Sequence, residues 1–265
     1  MPELAEVEFY RKQWNLGLNQ SIQSIHINSE RRIFREGNPQ LAAQRLPSSI
    51  LKESQCSGKW MLFKFQPTSW LGIHLGMTGT LSTAAADYSP LKHDHLVLYQ
   101  KKQSLIFSDP RLFGRIRFEQ THDAPLWWLQ LAPSLISPEV KLKDISAFLK
   151  NHARSPIKAA LLMQKRFPGI GNWMADEILW RASIHPRRLA GSLSPLEEKI
   201  LWKETLTVVR NALKVIGNDW SDPPNSWLFN HRWKDGGLCP ATVSALLRET
   251  IGGRTTCWSP GRQKI

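Results

Sequence analysis

A change in sequence pattern near residue 121 constrains the fold more than any other feature. Between residues 22 and 120 the apolar residues form short alternating or continuous runs separated by turn clusters, which is typical of an antiparallel sandwich or barrel. After Pro125, Pro133 and Pro138, which indicate a boundary, the apolar spacing becomes helical. The chain has 265 residues, 42% of them apolar, which is enough to bury two cores. We therefore expect an α+β protein with an N-terminal antiparallel β-sandwich flanked by helices and a helical C-terminal part.

The same periodicity predicts the individual elements. Helices are predicted at residues 6–18, 39–46, 140–151, 155–166, 172–183 and 195–216, and strands at 22–27, 60–65, 71–75, 95–99, 104–107 and 115–118. Near the C-terminus, residues 242–247 and 255–258 are predicted to pair as a hairpin with Gly252-Gly253-Arg254 at its tip. The predicted domains are residues 1–125, residues 139–217 and a terminal hairpin at residues 230–265.

The charge balance predicts a polyanionic partner. Lys and Arg outnumber Asp and Glu by 35 to 22, a formal net charge of +13. Residues 141–190 contain ten Lys or Arg against three Asp or Glu, so this segment alone carries +7. Nucleic acid or an anionic membrane surface fits such a charge, and phosphates are expected to bind at the helical part.

Secretion and membrane spanning are not supported by the sequence. The first residues carry glutamates without a basic or apolar signal segment, and no later stretch approaches the roughly 18 apolar residues of a membrane span. Cys56, Cys239 and Cys257 are an odd number at wide spacing, which suits reduced thiols better than a disulfide framework. We therefore expect a cytoplasmic protein.

The amino terminus offers a candidate nucleophile. Pro2 is small enough for the initiator methionine to be removed, which leaves a secondary amine beside the carboxylate of Glu3. Attack of such an amine on a sugar C1′ gives an iminium directly, and an iminium is an electron sink for later eliminations. Many unrelated proteins begin Met-Pro-Glu, so these residues alone do not establish a catalytic terminus.

A glycine motif, Phe167-Pro168-Gly169-Ile170-Gly171-Asn172, lies between two predicted helices. Glycines allow tight turns, and a helix start offers unpaired N–H groups and a positive dipole end. The motif therefore predicts a phosphate site in which Asn172 caps the helix and also donates to a phosphate. Taken alone, the motif is better explained as a simple packing element between two helices.

Together these motifs resemble the formamidopyrimidine-DNA glycosylase and endonuclease VIII family, and its formamidopyrimidine branch in particular. In the family's order they are Pro2-Glu3-Leu4, Gly58-Lys59-Trp60, His74-Leu75-Gly76-Met77-Thr78-Gly79, Lys92-His93-Asp94-His95, Asp109-Pro110-Arg111-Leu112-Phe113-Gly114, the glycine motif and Gly253-Arg254-Thr255-Thr256. The resemblance runs nearly end to end. It implies a β-sandwich domain, a helix-two-turn-helix domain and a β-hairpin finger, in an enzyme that excises damaged bases and then cleaves the strand.

The resemblance also assigns the catalytic roles. Pro2 would be the nucleophile, Glu3 would protonate the sugar ring oxygen or shuttle protons, and Lys59 would hold the lesion phosphate and assist elimination. Arg254 would grip the phosphates at the lesion and take part in δ-elimination, and Glu6 would be a supporting carboxylate. An ordinary solvated lysine and an ordinary hairpin arginine are the structural alternatives at 59 and 254.

The DNA contacts follow from the same resemblance. Such an enzyme rotates a nucleotide out of the duplex and must fill the hole left behind. Met77 and Phe113 match the family's apolar wedges, and Arg111 matches the arginine that pairs with the base opposite the lesion. The remaining matches to DNA and phosphate contacts are His93, Arg154, Lys158 and Asn172. These contacts position the DNA and predict a steep salt dependence of binding.

The terminal finger departs from the family pattern. Where bacterial members have four zinc-binding cysteines, this chain has Cys239, Thr242, Ser259 and Arg262, so one thiol remains. We therefore expect no metal and no cofactor, and a zincless finger. The side chains expected to replace the metal by apolar packing are Trp233, Leu238, Leu246, Leu247 and Trp258.

The expected function is a bifunctional glycosylase and abasic-site lyase of base excision repair, acting as a monomer on damaged double-stranded DNA in the bacterial nucleoid. Its substrates would be formamidopyrimidines and 8-oxoguanine, released through a Pro2 Schiff base with β,δ-elimination. Residues 132–135 lack a carboxylate usual in the family, and the segment at 218–230 differs from the family's lesion-capping loop. A glycosylase for oxidised pyrimidines or hydantoins and a non-catalytic protein that binds damaged DNA therefore stay open as alternatives.

Overall fold

The computed structural model describes residues 1–28 and 33–265. The chain divides into two compact units, one formed by Met1–Pro2 and Glu6–Leu131 and the other by Glu3–Ala5 and Ala132–Ile265. Within the described ranges, no helix combines the length and the apolar character that crossing a membrane requires.

The first unit contains two antiparallel four-stranded sheets, which confirms the expected N-terminal architecture. Its strands are β1 (Ile22–Ile27), β2 (Ile50–Ser57), β3 (Trp60–Gln66), β4 (Ser69–His74), β5 (Thr80–Ala85), β6 (Asp94–Gln100), β7 (Gln103–Ser108) and β8 (Arg115–Gln120). The strand order is β1-β6-β7-β5 in one sheet and β2-β3-β4-β8 in the other. Helices α1 (Leu4–Gln13), α2 (Pro39–Arg45) and α3 (Leu126–Leu129) accompany the sheets.

The core of this unit is aromatic. Trp14, Phe63, Phe65 and Phe107 are fully buried in one cluster, and the indole N–H of Trp14 donates to the carbonyl of Ile106 at 3.3 Å. Burying this N–H without a partner would cost free energy, so the hydrogen bond makes the large side chain compatible with the core.

Helix α1 ends before the predicted residue 18. It stops at Gln13, and residues 14–17 form a tighter 3-10 turn. Gly17 permits this turn because a β-carbon there would lie 2.7 Å from Oε1 of Gln100, whose amide nitrogen donates to the Gly17 carbonyl at 2.9 Å.

Strands β2 and β5 were not predicted. Each lies at an edge of its sheet, and their sequences, ILKESQCS and TLSTAA, contain few large apolar residues. Edge strands are partly solvated and carry polar residues, so the apolar signal that marks the central strands is weak there.

Four helices form the bulk of the second unit. They are α4 (Leu142–Asn151), α5 (Ile157–Leu161), α6 (Asn172–Ala182) and α7 (Pro195–Asp219). Helix α7 begins with Pro195 after a capping box between Ser194 and Glu197, which satisfies its first N–H groups.

Helix α5 is much shorter than predicted because Gln164 replaces helical hydrogen bonds in the turn that follows. Its side-chain amide donates to the carbonyls of Leu162 (2.9 Å) and Ile170 (2.8 Å) and accepts from the N–H of Gly169 (3.0 Å). The polar side chain thus stabilises the turns that lead into α6.

The terminal hairpin consists of β9 (Leu247–Ile251) and β10 (Arg254–Trp258), so the predicted first arm at 242–247 is wrong. Gly252 and Gly253 have φ angles of 59° and 74° and form a two-residue turn, which pairs Ile251 with Arg254. This register fixes the first arm directly before the turn.

Candidate active site and nucleic-acid interface

Glu3 is buried at the start of α6, within the second unit. Its carboxylate accepts hydrogen bonds from the backbone N–H groups of Gly171 (2.9 Å), Trp173 (2.9 Å) and Met174 (3.1 Å). N–H groups in the first turn of a helix have no intrahelical partner, and the positive end of the helix dipole favours a carboxylate. Helix α6 therefore holds Glu3 in one orientation.

This arrangement corrects two expectations about the glycine motif. The N–H groups of α6 that were expected to bind a phosphate are occupied by Glu3. The residue that caps the helix is Gly171, and Asn172 is the first residue inside it.

The glycines of the motif make room for the amino-terminal segment. A β-carbon at Gly171 would lie 2.3 Å from Cδ of Glu3, and one at Gly169 would lie 2.7 Å from Cβ of Leu4. Gly169 also has a φ of 84° and accepts a hydrogen bond from the N–H of Leu4 at 3.0 Å. The two glycines are therefore required by close approach of residues 3 and 4.

Lys158 is fully buried against the first turns of α6. Its ammonium donates to the carboxylate of Asp176 and, at 2.7 Å, to the carbonyl of Asn172. Asp176 also accepts from Arg232, with 3.1 Å to Nε, and from the N–H of Cys257 at 3.0 Å. Burial lowers the pKa of Lys158, and Asp176 opposes that effect. The geometry favours an internal role for Lys158 over the surface phosphate contact that the resemblance implies.

Asn172 connects α6 to the hairpin. Its side-chain nitrogen donates to the carbonyl of Thr255 at 2.7 Å, next to Arg254. Arg254 is exposed at the hairpin tip, so its guanidinium is accessible to an anion. The sequence-predicted residues Glu3, Lys158, Asn172 and Arg254 therefore all belong to elements joined by hydrogen bonds within one unit.

Pro2, Glu6 and Lys59 belong to the first unit. Pro2 is half-buried behind an exposed Met1, and Glu6 is half-buried in α1. Lys59 is only 9% exposed and follows Gly58 in the tight turn between β2 and β3, where Gly58 has a φ of 58°. A lysine in a two-residue turn has little backbone freedom, which suits a cation that must stay in one place.

The positive charge of Lys59 affects the pKa of His74. Burial, followed by the positive charges of Lys59 and Arg115, lowers the pKa of His74 to about 4. Its Nδ1 accepts a hydrogen bond from the N–H of Gly76 at 3.0 Å, which a neutral ring provides. His74 is therefore a neutral residue that shapes the following loop.

The three expected void fillers lie on two loops of the first unit, the Met77 loop (residues 74–79) and the Phe113 loop (residues 109–114). Phe113 is 46% exposed, and the guanidinium of Arg111 lies over its ring at 5.1 Å. Met77 is half-buried. An exposed aromatic ring beside an exposed guanidinium is suited to insertion between bases.

Further cations are available for phosphates. His93 is exposed in the first unit, and Arg154 is exposed in the second. In the described part of the second unit, exposed cations of the basic segment that form no ion pair are Lys141, Lys143, Lys150, Arg154 and Lys165.

Hydrogen bonds and a small buried cluster hold the finger together. No cluster of His, Cys, Asp or Glu able to hold a metal ion occurs among residues 1–28 and 33–265. Ser259 bonds to Ser244 (3.2 Å) and to Gln263 (2.9 Å), and Gln263 in turn donates to the carbonyl of Ile184 (2.9 Å). The buried cluster consists of Trp180, Leu228, Cys239, Leu246 and Cys257.

The expected set of apolar finger residues is therefore mostly wrong. Leu246 belongs to the cluster, but Trp233, Leu238 and Leu247 are 55%, 51% and 45% exposed. Trp258 packs against His185 instead, with 4.2 Å between ring centroids.

Cys239, the remaining cysteine of the zinc pattern, has polar neighbours. Burial raises the pKa of its thiol, but hydrogen bonds from Ser259, Thr242 and Trp180 outweigh burial and lower the pKa to about 7. The indole N–H of Trp180 donates to its sulfur at 3.4 Å. Thr242 and Ser259, at two of the positions that match the family's cysteines, thus act as donors to this sulfur.

Sequence reasoning missed Asp109, Asp176 and Arg232. All three are at most 5% exposed and bind residues on other loops or elements. Asp109 is the first residue of the motif at 109–114 and Asp176 lies four residues after the glycine motif, so their positions at these motifs were the available signal. Nothing local in the sequence marked Arg232.

The chain combines a β-sandwich with helices α5 and α6, which are joined through a glycine turn, and α6 holds the carboxylate of Glu3. This combination defines a protein of the helix-two-turn-helix class. Family models of the formamidopyrimidine-DNA glycosylase N-terminal domain and H2TH domain match residues 1–116 and 131–222. The chain belongs to the formamidopyrimidine-DNA glycosylase family.

Individual relatives agree along the whole chain. The formamidopyrimidine-DNA glycosylase of Thermus thermophilus is 32% identical, with 98% of this chain and 97% of that protein covered. The Lactococcus lactis Fpg protein in complex with DNA containing an abasic site is 26% identical, with a TM-score of 0.88 and coverage of 99% and 100%. A MutM protein bound to DNA containing carbocyclic 8-oxo-G is 27% identical, with a TM-score of 0.88 and full coverage of both chains at 100%.

Proposed function

We propose that this protein is a DNA glycosylase and abasic-site lyase that removes oxidised or ring-opened purines from double-stranded DNA. One observation carries the proposal: the residue after Pro2 is a carboxylate held by three N–H groups of α6 in a chain of this family. Such a fixed carboxylate next to a terminal imino acid serves chemistry at that terminus.

The first chemical step forms a covalent bond between enzyme and sugar. After removal of Met1, the nitrogen of Pro2 attacks C1′ of the damaged nucleotide, and the glycosidic bond breaks with its electron pair leaving on the base. The nitrogen then gives its proton to Glu3, its lone pair expels the ring oxygen O4′ from C1′, and Glu3 passes the proton to O4′ directly or through a water. The product is an iminium at C1′.

The iminium then drives strand cleavage. Loss of a proton from C2′ expels the 3′ phosphate, and a second elimination expels the 5′ phosphate. Water hydrolyses the iminium and returns the free amine of Pro2. Lys59 and Arg254 are the cations that we assign to the lesion phosphates, where they stabilise the departing charge.

We propose that the enzyme acts as a monomer and grips DNA by the phosphate backbone. Exposed, unpaired cations such as Lys150 and Arg154 in the described second unit neutralise phosphates and release counterions. We place this activity on DNA in the bacterial nucleoid.

Oxidised pyrimidines and hydantoins are the alternative substrates. The segment after α7 is braced by Asn230, whose side-chain nitrogen donates to the carbonyl of Pro223 (2.7 Å) and to Asn225 (3.3 Å). The sequence of this segment differs from the family's loop that caps an oxidised purine, so ring-opened purines are our first choice and 8-oxoguanine the second.

Strand cleavage of single-lesion duplexes tests the proposal. Duplexes containing a formamidopyrimidine, 8-oxoguanine, a hydantoin or an oxidised pyrimidine are each incubated with the protein and with the Glu3→Gln variant. We expect cleavage with phosphates at both new ends, fastest on the formamidopyrimidine and much slower for Glu3→Gln. Binding of lesion duplex without any cleavage would favour a non-catalytic damage-binding protein.

A further inference from the structure

A single buried carboxylate, that of Asp109, joins the Met77 loop to the Phe113 loop. The hydroxyl of Thr78 donates to Oδ1 at 2.7 Å, and the N–H of Gly114 donates to Oδ2 at 2.7 Å. The N–H of Arg111 adds a third hydrogen bond at 3.2 Å. Asp109 therefore contacts both loops that carry the expected void fillers.

The backbone of Asp109 is fixed as well. Its N–H donates to the carbonyl of His93 at 3.0 Å, and its own carbonyl lies 2.8 Å from Nε2 of His95. Both Asp109 and His95 are fully buried. The first residue of the Phe113 loop is thus anchored to strand β6 and the residue before it.

The two loops also touch directly. Gly76 has a φ of 64°, and a β-carbon there would lie 2.3 Å from the carbonyl carbon of Phe113. Such close contact leaves no space for a side chain at Gly76, so the two loops pack backbone against backbone.

Burial of this carboxylate needs a reason, because an ion removed from water costs several kcal/mol unless its hydrogen bonds compensate. Among the described residues Asp109 forms no ion pair, and its three donors are a hydroxyl and two backbone N–H groups. Hydrogen bonds to an ionised acceptor are shorter and stronger than neutral ones, so they hold loop geometry more firmly.

We propose that Asp109 is a positioning residue that holds Met77, Arg111 and Phe113 as one preformed wedge for insertion into the duplex. This inference rests on the proposed function. A wedge that is already ordered loses little conformational entropy when it enters the DNA, so extrusion of the lesion is faster.

Thr78 provides the matched pair of variants. Thr78→Val keeps the shape of the side chain and removes the hydroxyl, whereas Thr78→Ser keeps the hydroxyl. We expect Thr78→Val and Asp109→Asn to slow base excision from a lesion duplex by roughly tenfold to a hundredfold, since small misplacements have effects of this size. Thr78→Ser should stay close to the wild-type rate.

Two readouts separate positioning from general damage to the fold. A single-stranded oligonucleotide with an abasic site needs no wedge, so its cleavage rate should be unchanged in Thr78→Val. The fluorescence of 2-aminopurine placed beside the lesion should rise more slowly than with wild type, because the wedge enters more slowly.

The outcomes are distinct. The positioning role would be overturned if Thr78→Val slowed the reactions of the duplex and of the single strand equally. It would also be overturned if Thr78→Ser slowed base excision from the duplex as much as Thr78→Val does. If wild-type protein cleaves neither substrate, the proposed function fails, and the role of Asp109 fails with it.

Discussion

One peptide group joins Lys158 to Glu3. The carbonyl of Asn172 accepts from the Lys158 ammonium at 2.7 Å, and the N–H of the same peptide, that of Trp173, donates to Glu3 at 2.9 Å. A charge on the carbonyl side polarises the amide and strengthens its N–H as a donor. The buried lysine therefore supports the orientation of the carboxylate through the backbone.

Removal of the Lys158 charge should destabilise the protein. We expect Lys158→Met to lower the free energy of unfolding by about 2 to 4 kcal/mol, because Asp176 keeps Arg232 but loses one of its two buried cations. Urea unfolding measures the change. Lys165→Met, at an exposed lysine of the same unit, should stay within about 0.5 kcal/mol of wild type. Equal effects of the two substitutions would contradict the internal role of Lys158.

Gly171→Ala should disable catalysis. The added β-carbon would lie 2.3 Å from Cδ of Glu3, so the carboxylate must leave its position. We expect single-turnover base excision to fall by roughly a hundredfold. Gly236→Ala is the control for a glycine substitution away from Glu3: its β-carbon meets nothing within 4 Å, so backbone strain at its φ of 74° is its expected effect and base excision should stay near the wild-type rate. A Gly171→Ala enzyme with the wild-type rate would show that the position of Glu3 is unimportant.

The fold was predictable where apolar residues repeat and was missed where polar residues dominate. Strand β3 (Trp60–Gln66) has mostly buried residues and was predicted nearly to its ends, whereas edge strand β2 (Ile50–Ser57) was missed because most of its residues are only partly buried. Of the site residues, Pro2 and Glu3 were predictable because an imino acid and a carboxylate stand next to each other in the sequence. The pairing of Asp176 with Arg232 spans 56 residues, and no local pattern predicts such a partner.

Stability should depend on pH through His74. Its pKa is lowered from 6.5 to about 4 in the folded protein, so the unfolded chain binds a proton more readily between these values. The contribution of His74 to the free energy of unfolding is complete above pH 6.5 and is lost as the pH falls towards 4. Its total is about 3 kcal/mol. Urea unfolding at pH 7.5 and pH 4.5 should show a smaller difference for His74→Asn, which keeps an acceptor for Gly76 and does not titrate. An unchanged difference would exclude His74 as the source.

The finger should be independent of metal. We expect purified protein to contain no stoichiometric zinc and its melting temperature to be insensitive to a strong chelator, because Ser259 and Gln263 supply the hydrogen bonds that close the finger. The triple variant Thr242→Cys, Ser259→Cys and Arg262→Cys completes four thiols with Cys239 and should bind zinc. One zinc per wild-type chain, or unfolding on chelation, would contradict this account.

Borohydride trapping tests the terminal nucleophile most directly. The protein is incubated with a lesion duplex and sodium borohydride, and the covalent product is digested and mapped by mass spectrometry. We predict a reduced linkage between C1′ and the nitrogen of Pro2, and no trapping when a tag blocks the terminus, although the tagged protein still binds DNA in a salt-dependent way. A linkage at a lysine such as Lys59, or undiminished trapping by the blocked protein, would contradict the account.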